Sequence, residues 1–338
     1  MLSKILYIVI FQFVLILTSI KLSKIFDLVD YPQKRKIHTN PTPYTGGVTL
    51  ALGYIFIVII TNFENNHINI ILNYSLLVAL GGLIDDKYQV NPGTKIILQI
   101  VPIFLLIDVG LILNDLGDYN LFNKLELGSF AKIFTILSCL LLINAFNYSD
   151  GLDGLLACIS ISILGSFYFY IKIYSNLVDA DFIIYIAIPI TIFLIFNLGL
   201  IKNNKIFLGD SGSNLLGFIF SFITIFLYHE YDIHPALLIW PLAYIVYEFL
   251  SVNLNRILFK KKIFKAGSDH LHYELMSFLN TSQIKVMIAI LILNLLLSFL
   301  GYNIYRFFGP DLSLISFIIT FFVFFIFKIY INKKINKN

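Results

Sequence analysis

The sequence predicts an all-α polytopic membrane protein of about eleven transmembrane helices, with a periplasmic N-terminus, a cytoplasmic C-terminus and its active site on the cytoplasmic face. Three observations predict it. Hydrophobic residues fill 58% of the 338 positions and charged residues only 13%, with a mean hydropathy of +0.85, which lies outside the range of soluble globular domains. Apolar runs of roughly 17 to 24 residues recur from end to end, each long enough to cross about 30 Å of hydrocarbon as a helix. Cationic residues, finally, concentrate on alternate connections between those runs.

The runs are drawn at 3–22, 47–62, 68–86, 96–114, 129–147, 154–174, 182–200, 214–229, 235–257, 285–305 and 312–331. The first has no small-residue cleavage site after it and is expected to be retained as a helix. Of the 24 Lys and Arg, 19 lie nearer 23–46, 87–95, 148–153, 201–213, 258–284 and the tail after 331, and 5 lie nearer the other set of connections. The positive-inside rule makes the richer set cytoplasmic, and an odd number of spans then puts the N-terminus outside. No fixed-period repeat, low-complexity tract or long linker divides the chain, so residues 1–338 form one membrane-embedded domain. A net charge of +4, scattered along the chain, excludes a nucleic-acid binder. Cys139 and Cys158 sit in apolar runs without metal-ligand spacing and read as small buried hydrophobes.

Ionisable groups at the ends of membrane helices are costly to keep, so each is a functional candidate. Gly81-Gly82-Leu83-Ile84-Asp85-Asp86 closes an apolar helix with two adjacent carboxylates, which repel unless they share a cation or a proton; a solvated helix end is the bland alternative. In Asn144-Ala-Phe-Asn147-Tyr-Ser-Asp150-Gly-Leu-Asp153-Gly-Leu155, the residues Asn147, Asp150 and Asp153 are spaced by three, so one helical turn would present them on one face. The bland reading there is a helix start capped by Asp150 or Asp153. Phe207-Leu208-Gly209-Asp210-Ser211-Gly212-Ser213-Asn214 is a glycine and serine loop opening the next helix. Its backbone N–H groups suit a phosphate, and Asp210 suits the Mg²⁺ that accompanies one. Two basic segments complete the set: the loop from Asp30 to Gly47, carrying Lys34, Arg35, Lys36 and His38, and the stretch from Arg256 through Lys260, Lys261, Lys262 and Lys265 to Asp269-His270-Leu271-His272. Two histidines at i, i+2 without a third ligand point to an anion or a sugar hydroxyl rather than to zinc. All five clusters fall on the cytoplasmic side of a topology drawn without them. A carboxylate-rich, Mg²⁺-suited centre ringed by cations suits transfer of a phosphoryl-linked group between two anionic substrates.

In chain order, the Arg-Lys-x-His-x-x-Pro-Thr-Pro-x-x-Gly-Gly loop, the Asp-Asp helix end, Asn-x-x-Asn-x-x-Asp-Gly-x-Asp-Gly-Leu, Gly-Asp-x-Gly-Ser and His-x-His resemble the polyprenyl-phosphate N-acetylhexosamine-1-phosphate transferases of glycosyltransferase family 4. That family includes the enzymes that initiate O-antigen, common-antigen and teichoic-acid synthesis and the peptidoglycan phospho-N-acetylmuramoyl-pentapeptide transferase. The resemblance implies a multi-pass enzyme of the bacterial inner membrane. It would transfer a sugar-1-phosphate from a UDP-sugar to undecaprenyl phosphate with release of UMP, using Mg²⁺ with Mn²⁺ as a substitute. Membrane lipid would surround it, and a homodimer is one assembly it allows. By carry-over, Asp210 binds Mg²⁺ with Asn147 as second ligand, Asp85 or Asp86 activates the lipid phosphate, and Lys95 lies near the phosphates. Asp153 lies by the uridine, and Arg256, His270 and His272 contact the sugar or pyrophosphate. Arg35, Lys36, His38, Asn144, Asp150 and Ser213 complete the substrate-binding set.

Departures from the pattern fall near the substrates: Gln89 where a third acid is frequent, Tyr273 where another histidine is frequent, Glu248 for a common Asp, and Gly267 for another. They bear on sugar identity more than on reaction type. N-acetylglucosamine is the favoured sugar, with N-acetylfucosamine and N-acetylquinovosamine as rivals; a muramoyl-pentapeptide donor fits eleven spans less well. A secondary transporter would place its carboxylates near the bilayer midplane. A phosphatidyl transferase would continue the Asp-Gly element with residues missing here.

Overall fold

A computed structural model describes residues 2–32, 40–121, 123–174, 180–260, 267 and 269–335. The fold is almost wholly helical. In chain order it runs α1 (Leu2–Ile25), a two-residue strand pair β1 (Val29–Asp30) with β2 (Thr42–Pro43), α2 (Gly46–Thr61), α3 (Asn66–Tyr88) and α4 (Pro92–Asp108). An antiparallel hairpin follows, β3 (Asp115–Tyr119) with β4 (Asn123–Glu126), then α5 (Ala131–Ser149), α6 (Leu155–Tyr174), α7 (Asp181–Asn197) and α8 (Gly209–Tyr231). The chain ends with α9 (Pro235–Leu238), α10 (Ala243–Leu258), α11 (Leu271–Leu279) and α12 (Gln283–Ile335).

Among the described residues, seven helices are long and apolar enough to cross a membrane, counting Pro235–Leu258 as one, and Gly46–Thr61 and Asp181–Asn197 are shorter apolar helices. The protein is a multi-pass membrane protein. Each segment drawn from the hydropathy falls on one of these helices, on α4, or on one half of α12. The 53-residue α12 is two helices, because Gly309 adopts φ 79°, ψ −175° and Pro310 starts the second half. Glycine tolerates that conformation and proline at the first helical position loses nothing by lacking an N–H. Gly301 and Ser313, on either side of the break, both reach Trp240, so the chain doubles back there.

In hydrocarbon no hydrophobic gain drives helices together, and close approach of small residues takes its place. The middle of the bundle is built that way. The most apolar stretch of α8 is 89% buried, against 17% for α1, so α8 is the axis and α1 lies at the rim. A Cβ on Gly47 of α2 would stand 2.1 Å from the Gly212 nitrogen, one on Gly82 of α3 would stand 2.5 Å from the Ser211 Cα, and one on Gly217 would meet the Ile143 Cα of α5 at 2.5 Å. Three helices thus touch α8 backbone to backbone, two of them at its N-terminal turn.

The two sets of connections separate to opposite ends. Asp86 at the end of α3 meets the start of α8, whereas Asn65 before α3 bonds Glu230 at the end of α8. Asp115 beside Tyr228, and Asn120 and Leu121 donating to Asp311, gather the hairpin at that second end. Two elements depart from the sequence reading: the 115–128 connection holds the β3–β4 hairpin, and the 258–284 connection holds α11.

Candidate active site

The site is assembled on the first turn of α8. Gly209 has φ +73°, and a Cβ there would lie 2.7 Å from Asp86 Oδ2, so both its backbone and its neighbour demand glycine. Asp86 Oδ1 accepts from the Asp210 N–H at 2.9 Å and Oδ2 from the Ser211 N–H at 3.1 Å. A carboxylate from α3 therefore caps α8 and meets the positive end of its dipole. This corrects the expectation that these N–H groups await a phosphate: two of them are already taken.

Asp85, one residue earlier, points elsewhere. Its Oδ2 lies 2.8 Å from Lys95 Nζ, which also lies 2.5 Å from Asp210 Oδ2. Lys95 is set on the first turn of α4, whose start is fixed by Pro92 and by Asn91 accepting from the Thr94 N–H. From α5, Asn147 Nδ2 donates to Asp210 Oδ1 at 2.8 Å and to Ser213 Oγ at 2.9 Å. Asp210 is thus the hub of four helices, and with 33% of its side chain accessible it stays open to a ligand.

The Asn147 to Asp153 face does not form. Helix α5 ends at Ser149 with Asp150 after it, and Gly154 turns left-handed at φ +77°, so the helical spacing stops after Asn147. Asp153 pairs with Lys205 at 2.5 Å, a partner the sequence did not suggest. Asn144 sits one turn deeper than Asn147 and donates to Gln99 Oε1 at 3.1 Å; Gln99 in turn lies one turn below Lys95 on α4. This amide pair, buried at Gln99 and half-buried at Asn144, floors the charged centre and ties α5 to α4.

The histidine segment closes the side of the site. Arg256 grips Asp269 with two hydrogen bonds of 2.8 and 2.7 Å and lies over the Tyr148 ring. His270 meets the edge of that ring at 5.1 Å, and Tyr273 donates to the Gly151 carbonyl at 3.2 Å. His272 is fully buried, and a Cβ on Gly151 would stand 1.9 Å from its Nε2. Against the expectation of a sugar contact, His272 wedges α11 onto the Asp150-Gly151 turn. Arg35, Lys36 and His38 lie outside the described residues, as do Lys34, Lys261, Lys262 and Lys265. The base of the first basic loop is described: Phe207 N–H donates to Pro43 O at 2.7 Å, and the Gly46 and Gly47 N–H groups donate to Phe207 and Leu208. That loop is therefore rooted beside Asp210.

Residues 68–228, which contain Asp85, Asp86, Lys95, Asn147 and Asp210, match the sequence profile of glycosyl transferase family 4. The chain is 28% identical over 281 residues (81% of the chain, 76% of the relative) to the undecaprenyl-phosphate α-N-acetylglucosaminyl 1-phosphate transferase of Yersinia pestis. It is 27% identical over 312 residues (90% and 84%) to the protein of the same name in Escherichia coli K12. Against a probable undecaprenyl-phosphate N-acetylglucosaminyl 1-phosphate transferase of Bacillus subtilis 168 it is 27% identical over 267 residues (78% and 74%). The chain is thus similar to glycosyl transferase family 4 over the stretch that holds Asp210 and its partners.

Two carboxyls outside the spans are displaced upward. Burial first, then the carboxylates of Asp210, Asp86 and Asp153, push Asp150 up to about 8. In α11, burial pushes Glu274 up to about 7 against the pull of Lys328; Glu248 and Asp269 add to the rise, and the amide of Asn332 opposes it. A native carboxyl that holds its proton longer than the unfolded chain loses stability as pH rises, here from about 4.5 to about 7, by at most about 3 kcal/mol. The thermal unfolding midpoint in detergent is accordingly expected to fall between pH 5 and pH 8. Glu274→Gln should flatten that slope and raise the midpoint at pH 8; an unchanged slope would show that Glu274 does not supply it.

Proposed function

We propose that the protein transfers N-acetylhexosamine-1-phosphate, N-acetylglucosamine in the first instance, from its UDP-sugar to undecaprenyl phosphate, releasing UMP and starting a lipid-linked surface polysaccharide. The observation that carries this reading is the Asp85–Lys95–Asp210–Asn147 cluster, open at Asp210, inside the stretch that matches the family. The relatives' printed names supply the lipid and the sugar. The proposed orientation puts this end of the bundle in the cytoplasm of a bacterial inner membrane, because most Lys and Arg border its connections.

The donor set fits Mg²⁺. Asp210 offers hard carboxylate oxygens with one side accessible, and Asn147 is an amide that can turn its oxygen inward. Among the described residues, no three or more His, Cys, Asp or Glu converge as a cage of their own. That is the pattern of an ion held by one or two protein groups and completed by substrate phosphates and water. When bound, Mg²⁺ (or Mn²⁺ in its place) neutralises phosphate charge and polarises the phosphoryl group under attack.

The chain's own residues do the rest. An oxygen of the lipid phosphate attacks the phosphorus that carries the sugar; the bond from that phosphorus to the UMP oxygen breaks, and UMP leaves with the electron pair. Asp85, free of the capping duty that occupies Asp86, is placed to accept a proton from a lipid phosphate monoanion. Lys95 offsets the negative charge that two phosphorylated substrates bring together, and the basic loop rooted beside Asp210 adds to it. Asp153 with Lys205, and Arg256 with Asp269 and His270, line the side from which a water-soluble donor would arrive.

The test is UMP release by the purified protein in detergent with undecaprenyl phosphate and Mg²⁺. UDP-N-acetylglucosamine is compared with the N-acetylfucosamine and N-acetylquinovosamine donors. Release that requires the lipid, stops with EDTA and returns with Mg²⁺ or Mn²⁺ is expected. Folded protein silent toward every donor would overturn the proposal.

A further inference from the structure

The returning half of α12 carries Lys328, a cation buried to 2% exposure in an otherwise apolar helix, and such a group within a membrane helix is retained for a reason. Its Nζ lies 2.8 Å from both oxygens of Glu248, itself fully buried on α10. Glu248 Oε1 also accepts from the Leu271 N–H at 2.9 Å, the first residue of α11, and lies 3.4 Å from His270 Nδ1. One turn after Lys328, on the same face of α12, Asn332 donates to Glu274 Oε1 of α11 at 2.9 Å. Two side chains of the last helix therefore hold the histidine segment at both ends of one helical turn.

We infer that Glu248, Lys328 and Asn332 are positioning residues for the donor sugar-nucleotide: a clasp through which the last helix holds His270 and Asp269 at the edge of the site. This rests on the proposed transferase reading. Glu248 is buried, and among the described residues the Lys328 ammonium balances its charge, with His270 Nδ1 3.4 Å away. With that balance, its Oε1 caps α11 and stands 3.4 Å behind His270 Nδ1, so the carboxylate backs the ring on that side. A carboxylate behind an imidazole fixes ring orientation in this way at many sites. The held segment then seats His272 against Gly151 and Tyr273 on the Gly151 carbonyl, next to the Asp150 turn. It is a segment of the aqueous connection, whereas Asp85 and Lys95 lie across the site on α3 and α4, so loosening it should weaken the soluble donor and spare the lipid acceptor.

Removing one member of a buried ion pair strands the other, so single variants would confuse folding with function. Two double variants separate them. Glu248→Gln with Lys328→Met removes both charges and keeps an oxygen for the Leu271 N–H and His270; Glu248→Leu with Lys328→Met removes the oxygen as well. The second is expected to raise KM for the UDP-sugar at least tenfold with KM for undecaprenyl phosphate within twofold, while the first stays within threefold of wild type for both. Equal effects of the two doubles on every constant, or an unchanged donor KM in the second, would overturn the inference. Hydrogen–deuterium exchange over residues 269–279 needs no substrate. Faster exchange in that segment in the second double alone is expected. Unchanged exchange there would sink the clasp even if the wild type proves active, whereas faster exchange in a protein inactive toward every donor would sink the transferase reading and leave the clasp standing.

Discussion

Replacing Asp210 by asparagine is expected to lower turnover about 10³-fold while the thermal midpoint moves by only a few degrees. The expectation follows from what each oxygen does. Asp210 Oδ2 takes the Lys95 ammonium and Oδ1 takes the Asn147 amide, so the carboxylate sets the position of the cation and the amide at once. An amide of the same shape keeps the packing but loses the charge that holds Lys95 and would hold a divalent cation. Losing one preorganised electrostatic group of this kind costs about 10²- to 10³-fold in turnover, and here two such interactions fail together. The fold should survive, because Asp210 sits in a crowd of carboxylates with Asp85, Asp86 and Asp150, and removing one of them relieves repulsion. Asp86→Asn is the contrasting variant. Its two oxygens accept two backbone N–H groups of α8, and one carbonyl oxygen cannot replace both, so it should lose stability by about 1–2 kcal/mol. Turnover and melting by both variants separate the roles: a large activity loss for Asp210→Asn without unfolding, and a midpoint drop for Asp86→Asn. A fully active Asp210→Asn would remove Asp210 from the centre of the reaction.

That contrast also marks how far the sequence could be read. The helices were legible, because an apolar run of sufficient length has few other fates in hydrocarbon, and the polar clusters were legible as one group, because the topology puts them all at one end. The division of labour between Asp85 and Asp86 was not legible. Successive helical residues point about 100° apart, so the two adjacent carboxylates look at different neighbours, one toward α4 and one toward α8, and only the packing says which. The Asn147, Asp150 and Asp153 spacing misled for the converse reason: it assumes a helix that the Asp150-Gly151 turn and the left-handed Gly154 bring to an end. Lys205 and Gln99 escaped notice because nothing local distinguishes them; their roles come from partners 52 and 45 residues away. Lys328 did carry a signal, a lone cation in an apolar stretch, but its partner Glu248 lies 80 residues back on another helix.

The glycines that let the bundle close offer the second large effect. Gly47→Ala is expected to destabilise the protein by more than about 3 kcal/mol, enough to leave most of it unfolded or aggregated on extraction. The new methyl would lie 2.1 Å from the Gly212 nitrogen, 2.3 Å from the Ser211 carbonyl carbon and 2.5 Å from the Gly212 Cα, all of them backbone atoms of the helix that carries Asp210. A side chain can rotate away from such a clash. A helix backbone cannot, and α8 is held on its other sides by Gly82 of α3 and by α5 across Gly217, so the strain has no exit except separation of α2 from α8. That separation would also pull on the Gly46 and Gly47 N–H bonds to Phe207 and Leu208, which root the basic loop beside the site. Gly165→Ala is the matched control: the same chemical change inside helix α6, with nothing within 4 Å of the added carbon. It should be neutral or stabilising by at most about 1 kcal/mol, as alanine is the better helix former. Thermal melting of the two variants in the same detergent compares them directly. Equal midpoints would mean that α2 and α8 do not meet at Gly47 as described, and the route by which the first loop reaches Asp210 would have to be redrawn.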